Sequence, residues 1–175
     1  LKEKKHFKAF GRIKEKLCQQ GYEVYIADTD GFGTIENNAC QLKDFICRVL
    51  DSTGAEKVNI IAHSKGGLDS KYMISELGME ERVASLTTLC TPHKGSLIAS
   101  GIWGWHDILK KPIAFFIDGF YKYVLGDKNP DSMTVCRQLC YVDEGLETLE
   151  FTDKVYCQSY SSTLKSGKDC LLMAL

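Results

Sequence analysis

Apolar positions recur along the chain in two periods. Between residues 2 and 20, Phe7, Phe10, Ile13 and Leu17 return every three or four residues, and Gly21 follows. This spacing predicts a helix with one apolar stripe and a glycine stop. Residues 22–27, YEVYIA, predict a short strand, and Asp28 to Gly33 a turn-rich loop. From Thr34 to Ser52 the stripe Ile35, Ala39, Leu42, Phe45 and Val49 predicts an amphipathic helix that Gly54 ends. Thr34 suits its N-cap, but Asn37 stands where a capping box needs Glu or Gln. The apolar run at residues 58–62, VNIIA, predicts a strand, followed by a helix closing near Leu77 and Gly78. Residues 83–90 and 155–159 predict two more strands, while 95–150 holds aromatic clusters without a clean period. Strands alternating with helices imply an α/β domain, a mostly parallel sheet with helices on its faces.

Composition narrows this picture only a little. The chain has 175 residues, which suits one domain. Its 22 basic and 23 acidic residues leave a net charge of −1, with no global pull toward nucleic acid or an anionic membrane. Seven Lys or Arg against two Glu lie before residue 17, and they read as a solvated helix face. The run Ile113 to Ile117 is far short of the roughly 20 apolar residues a membrane span needs. The eight cysteines form no CxxC and no zinc-finger spacing, so they read as small core residues, with a Cys136–Cys140 bridge as a second option. No metal site is expected.

One turn carries the chemistry. The strand at 58–62 runs through His63-Ser64-Lys65-Gly66-Gly67 straight into a helix, which sets Ser64 at the apex of a nucleophile elbow. So sharp a turn brings strand and helix backbones together, and the expectation is that positions 62 and 66 must be small, as Ala62 and Gly66 are. The serine hydroxyl then stands above the sheet beside the positive end of the helix. The backbone amide of Lys65, next after the serine, is the expected oxyanion donor.

VNIIAHSKGGLDSKY, then LTTLCTPHKGS about 20 residues on, resembles the bacterial triacylglycerol lipases of the α/β-hydrolase fold. GYEVYIADTDGFGTIENNACQLKDFI upstream and VYCQSYSS downstream are similar to the same family. Ala62 stands where the usual pattern has glycine, a departure some of these lipases share. The resemblance implies a serine carboxylic-ester hydrolase that forms an acyl-enzyme on Ser64, on a lipid or ester substrate at a lipid–water interface. It implies no cofactor that the residues themselves support, although calcium is possible by resemblance. It also implies secretion, while eight cysteines without a pairing plan lean toward a reducing compartment. His63 leaves the turn in the wrong direction to serve as base, and the TPHKGS loop holding His93 is structural in the family. His6 and His106 read as surface or lid residues, and Asp143, Asp153 and Asp169 lack the context of a triad acid.

The resemblance further implies that the domain, one unit over residues 1–175, is incomplete at both ends. A strand ending in a His-Gly loop that donates the second oxyanion amide is expected before Leu1. The triad Asp and His are expected after the apolar run Cys170 to Leu175. The upstream strand would lie between the strands at 22–27 and 58–62. Without it, unpaired backbone groups costing about 1–3 kcal/mol each should make the chain alone fold poorly and act feebly. Residues 100–150 are expected to form a lid or cap, with Trp103, Trp105, Phe115 and Phe116 as lid or acyl-site residues. Two alternatives stay open: an acyltransferase or other esterase on the same fold, and a non-catalytic lipid- or protein-binding fragment.

Overall fold

The computed structural model describes residues 10–140 and 153–163. His6, Phe7, Asp143, Asp169 and the run from Cys170 to Leu175 lie outside the described residues. Three strands, β1 (Val58–His63), β2 (Val83–Leu89) and β3 (Tyr156–Tyr160), form a parallel sheet in the order β1-β2-β3. In register, Ile60 lies beside Leu86 and Leu86 beside Cys157. The helices are α1 (Ile13–Gln19), α2 (Ile35–Thr53), α3 (Lys65–Glu76), α4 (Leu97–Trp103), α5 (Asp107–Phe120) and α6 (Ser132–Gln138).

Local signals account for the central elements. The Thr34 hydroxyl caps α2 by accepting from the Asn37 amide at 3.3 Å, and Gly54 closes it at φ 72°. Leu42, Ile46 and Leu50 of α2 meet Met73 and Ile74 of α3, Ala62 of β1, and Val83 and Leu86 of β2 in one buried core. Helix α3 packs on both β1 and β2, so the core fixes the helix that begins at Ser64.

Several expectations are corrected. Among the described residues, 22–27 join no sheet, with Tyr22, Tyr25 and Ile26 exposed. A strand exists only through a partner, and among the described residues β1 pairs with β2 alone. A cavity of about 540 Å³ separates the two segments, lined by Phe10, Ile13, Leu17, Ile26, Ile60 and Ile61 among others. The apolar stripe of α1 therefore lines this trough, and no residue of α1 is buried. None of the seven described cysteines is buried: Cys18, Cys40, Cys90 and Cys157 are exposed, and Cys136 and Cys140 are both free thiols. Residues 136 and 140 lie one turn apart at the end of α6, where the Cys140 thiol donates to the Cys136 carbonyl at 3.2 Å. Segment 97–138, read as aperiodic, is largely helical.

The edge of β1 that no described strand covers gives the first prediction. The 175-residue chain produced by itself should self-associate, because an unpaired edge offers a ready template to another chain. A monomeric elution profile together with a single sharp melt would contradict this.

Candidate active site

Ser64 sits between the last residue of β1 and the first of α3, with φ 52° and ψ −129°. Ser64 and Cys90, at the ends of adjacent parallel strands, are the two non-glycine residues with positive φ among those described. Such backbone costs on the order of 1–3 kcal/mol and persists only where its surroundings over-determine it. Here the Ser64 amide donates to the Leu89 carbonyl at 2.9 Å. The Ser64 carbonyl accepts from the Gly67 amide at 3.0 Å and from the Thr91 hydroxyl at 2.9 Å. Serine commonly caps a helix with its side chain, but this hydroxyl makes no cap bond to α3, and the residue is exposed. It projects at the helix's positive end, where the Lys65 amide is among the first helical N–H groups, which lack intrahelical acceptors.

The crowding expected at the elbow does not fall on Gly66. Ala62 is buried in the core, at the edge of the larger trough. At Gly66 an added Cβ meets nothing within 4 Å, so turn crowding does not require glycine there. The crowding falls one residue later, where a Cβ on buried Gly67 would overlap the Thr91 hydroxyl and methyl.

Beneath the elbow lies a polar network with no signature in the sequence. The Asp69 carboxylate, 2% exposed, accepts from the Lys65 ammonium at 2.8 Å and from the Asn38 amide at 3.1 Å. Burial pushes its pKa up to about 6, against the pull of Lys65 and Asn38, and Glu36 adds repulsion. Asn38 also donates to the Asp30 carbonyl at 2.8 Å, while the Asp30 carboxylate accepts from Gln41 at 3.3 Å and from the Asn129 amide at 3.1 Å. Asn38 Oδ1 is buried without a partner and packs against Gly33, where a Cβ would collide with it. Loop 28–34 is thus tied to α3, to α2 and to the loop before α6.

The histidines stand elsewhere. His93 turns into a separate cavity of about 270 Å³ with Lys71, Leu86, Thr88 and Cys157, its Nε2 3.0 Å from the Thr88 hydroxyl. Burial there, with nearby Lys71, holds its pKa below the usual histidine value. Ser64 lines the larger trough instead. The His63 ring is exposed and meets Phe10 edge-on at 6.4 Å, His106 is the exposed N-cap residue of α5, and Asp153 is exposed. No described histidine is shown bonded to Ser64.

Segment 97–138 presents apolar surface. Phe115 and Phe116 on α5 are 77% and 75% exposed and touch edge-on, and Trp105 is half exposed. Trp103 is partly covered by the Lys110 ammonium, 4.5 Å from its ring centroid. No described helix is long and apolar enough to cross a membrane. Among the described residues no group of three or more His, Cys, Asp or Glu can hold a metal ion. Asp127 and Asp131, in the loop before α6, accept from the Phe32 and Thr134 amides.

Comparison with known proteins matches residues 6–108 to a family described as the alpha/beta hydrolase fold. The chain is 36% identical over 130 residues to the triacylglycerol lipase of Pseudarthrobacter phenanthrenivorans, covering 68% of this chain and 39% of that protein. It is 36% identical over 172 residues to triacylglycerol lipase 2 of Saccharomyces cerevisiae, covering 90% of this chain and 52% of that protein. Crystal structures of the lipase BlEst2 of Bacillus licheniformis match in mature form (TM-score 0.56, 21% identity, 85% of this chain and 56% of that one) and in propeptide form (TM-score 0.58, 21% identity, 85% and 30%). At that identity the likeness speaks for the fold alone. The chain spans about half or less of the length of the curated relatives described here.

Proposed function

We propose, for a chain that belongs to the alpha/beta hydrolase fold family, that it carries the nucleophile-bearing core of a serine carboxylic-ester hydrolase acting on triacylglycerol-like lipids. The observation that carries this reading is the Ser64 hydroxyl, left free of capping at a strained strand-to-helix turn. The names of the relatives, triacylglycerol lipases, support the substrate class.

In this reading the Ser64 oxygen adds to the ester carbonyl, and its proton passes to a histidine that the family pattern places after residue 175. An aspartate orients that histidine. The tetrahedral oxyanion is held by the Lys65 amide and by a second amide from a loop preceding residue 1. Collapse releases the alcohol, and water then frees the fatty acid from the acyl-enzyme. Losing one such donor costs on the order of 10² to 10³ in turnover, and losing the base costs more, so residues 1–175 alone are expected to be nearly inactive. The trough between β1 and residues 24–31 is the proposed seat of the upstream strand, since it offers β1 an apolar lining and a free edge.

Fluorophosphonate labelling of the protein from its native source tests the reading. Modification is expected at Ser64, located by peptide mass. An unlabelled protein, or one labelled at another residue, overturns it.

Segment 97–138 is proposed as the lid, with Phe115 and Phe116 turned toward the lipid and Trp103 and Trp105 as further lid or acyl-site residues. A variant lacking this segment should lose its preference for long-chain, micellar esters over soluble short-chain ones. If the preference survives the deletion, the lid assignment is wrong.

A further inference from the structure

We infer that Thr91 is a positioning residue for the nucleophile: from the neighbouring strand's end it holds the Ser64 carbonyl, and with it the elbow, in reactive geometry. The inference rests on Ser64 being the nucleophile.

Thr91 lies 27 positions beyond Ser64 and reaches it through a chain reversal. Strand β2 ends at Leu89, whose carbonyl accepts from the Ser64 amide. Cys90 then takes φ 51° while its amide donates to the Tyr160 carbonyl of β3 at 2.8 Å. That reversal swings Thr91 toward β1, where its hydroxyl donates to the Ser64 carbonyl at 2.9 Å. The Thr91 carbonyl in turn accepts from the His93 amide at 2.9 Å, which fixes the residue from its other side. Ser64 is thereby gripped at its amide by the last residue of β2 and at its carbonyl by Thr91 just beyond it.

The grip bears on the reacting atom. Rotating the Ser64 peptide toward an ordinary conformation would carry the Cβ and hydroxyl with it, and would also turn the adjoining Lys65 amide. Displacements near 1 Å at a reacting group can cost on the order of 10² in rate. Gly67 supports the assignment independently. Its missing Cβ leaves room for the Thr91 hydroxyl and methyl, so the helix start is shaped around this side chain. Adding that Cβ should expel the hydroxyl without altering Thr91 itself.

The test uses the protein in its native full-length form. Thr91→Val keeps the shape and removes the donor, whereas Thr91→Ser keeps the donor and loses a methyl. Thr91→Val should lower kcat on a soluble short-chain nitrophenyl ester about tenfold, slow fluorophosphonate labelling of Ser64 alike, and leave KM unchanged. Thr91→Ser should stay within about twofold of wild type. Gly67→Ala should copy Thr91→Val, and the double variant should be little worse than either alone, because residues acting as one unit are not additive. If Thr91→Val fails to fold, Thr91→Ala against Thr91→Ser isolates the same hydroxyl and should give the same ratio. Equal kcat with and without the hydroxyl, or a loss in Thr91→Ser as large as in Thr91→Val, overturns the assignment while labelled Ser64 keeps the hydrolase reading intact. A wild type that does not label at Ser64 overturns both.

Discussion

Replacing Ser64 by Ala should reduce ester hydrolysis by the native full-length protein about 10⁴- to 10⁶-fold and abolish phosphonate labelling. The alanine retains a Cβ at φ 52°, so the backbone strain stays and the melting temperature should hardly move. Ser64→Gly should be equally inactive yet more stable, by about 1 kcal/mol, because glycine adopts positive φ without steric cost. The pair separates two roles of one position: the hydroxyl for chemistry, and the strained backbone that aims it. Turnover on a soluble ester and a calorimetric melt read the two effects. A Ser64→Ala protein that still hydrolyses at an appreciable rate would remove Ser64 as nucleophile, and a Ser64→Gly protein less stable than wild type would show that the elbow is not strained.

The second large effect is expected at Asp69. Its pKa of about 6 in the folded chain lies above the ordinary 3.8, with burial as the main cause and Lys65, Asn38 and Glu36 as the groups facing it. Between about pH 4 and 6 the folded state therefore holds a proton that the unfolded state has released. By linkage, stability from this group is highest below pH 4, falls as pH rises through that window, and levels off above about 6. The difference of roughly two pK units corresponds to about 3 kcal/mol. Asp69→Asn has no such titration, so the stability difference between variant and wild type should move by about 3 kcal/mol in the variant's favour from pH 4 to pH 7. Asp69→Ala instead strips the acceptor from the partly buried Lys65 ammonium and from the buried Asn38, and should cost about 2–4 kcal/mol at neutral pH. Urea midpoints measured across the pH range decide this, and a pH-independent difference for Asp69→Asn would sink it.

What proved legible in the sequence was local. Helix α2 was readable because its stripe, its Thr34 cap and its Gly54 stop all lie within 21 consecutive residues. The elbow was readable because strand, turn and helix are contiguous and each obeys its own short-range rule. Helix α5 was missed although its apolar positions are as one-sided as those of α2, because Pro112 stands inside it and its apolar residues, Phe115 and Phe116 among them, are exposed and not packed in a core. The cysteines misled because composition reports hydrophobicity, not which side of an element meets the core.

The sequence by itself determined the order of the central strands and helices, the α/β class and the serine at the turn, since each follows from a pattern within one short segment. Only the tertiary structure decided that YEVYIA pairs with none of the described strands, because a strand is a relation between two segments and, among the described residues, β1 has a partner on one side alone. It alone decided that crowding at the elbow falls on Gly67, since the crowding atom is the Thr91 side chain arriving from β2. It also decided that Asp69 is buried against Lys65 and Asn38, because burial and the pKa it shifts depend on how α2 and α3 pack together, which no local spacing records.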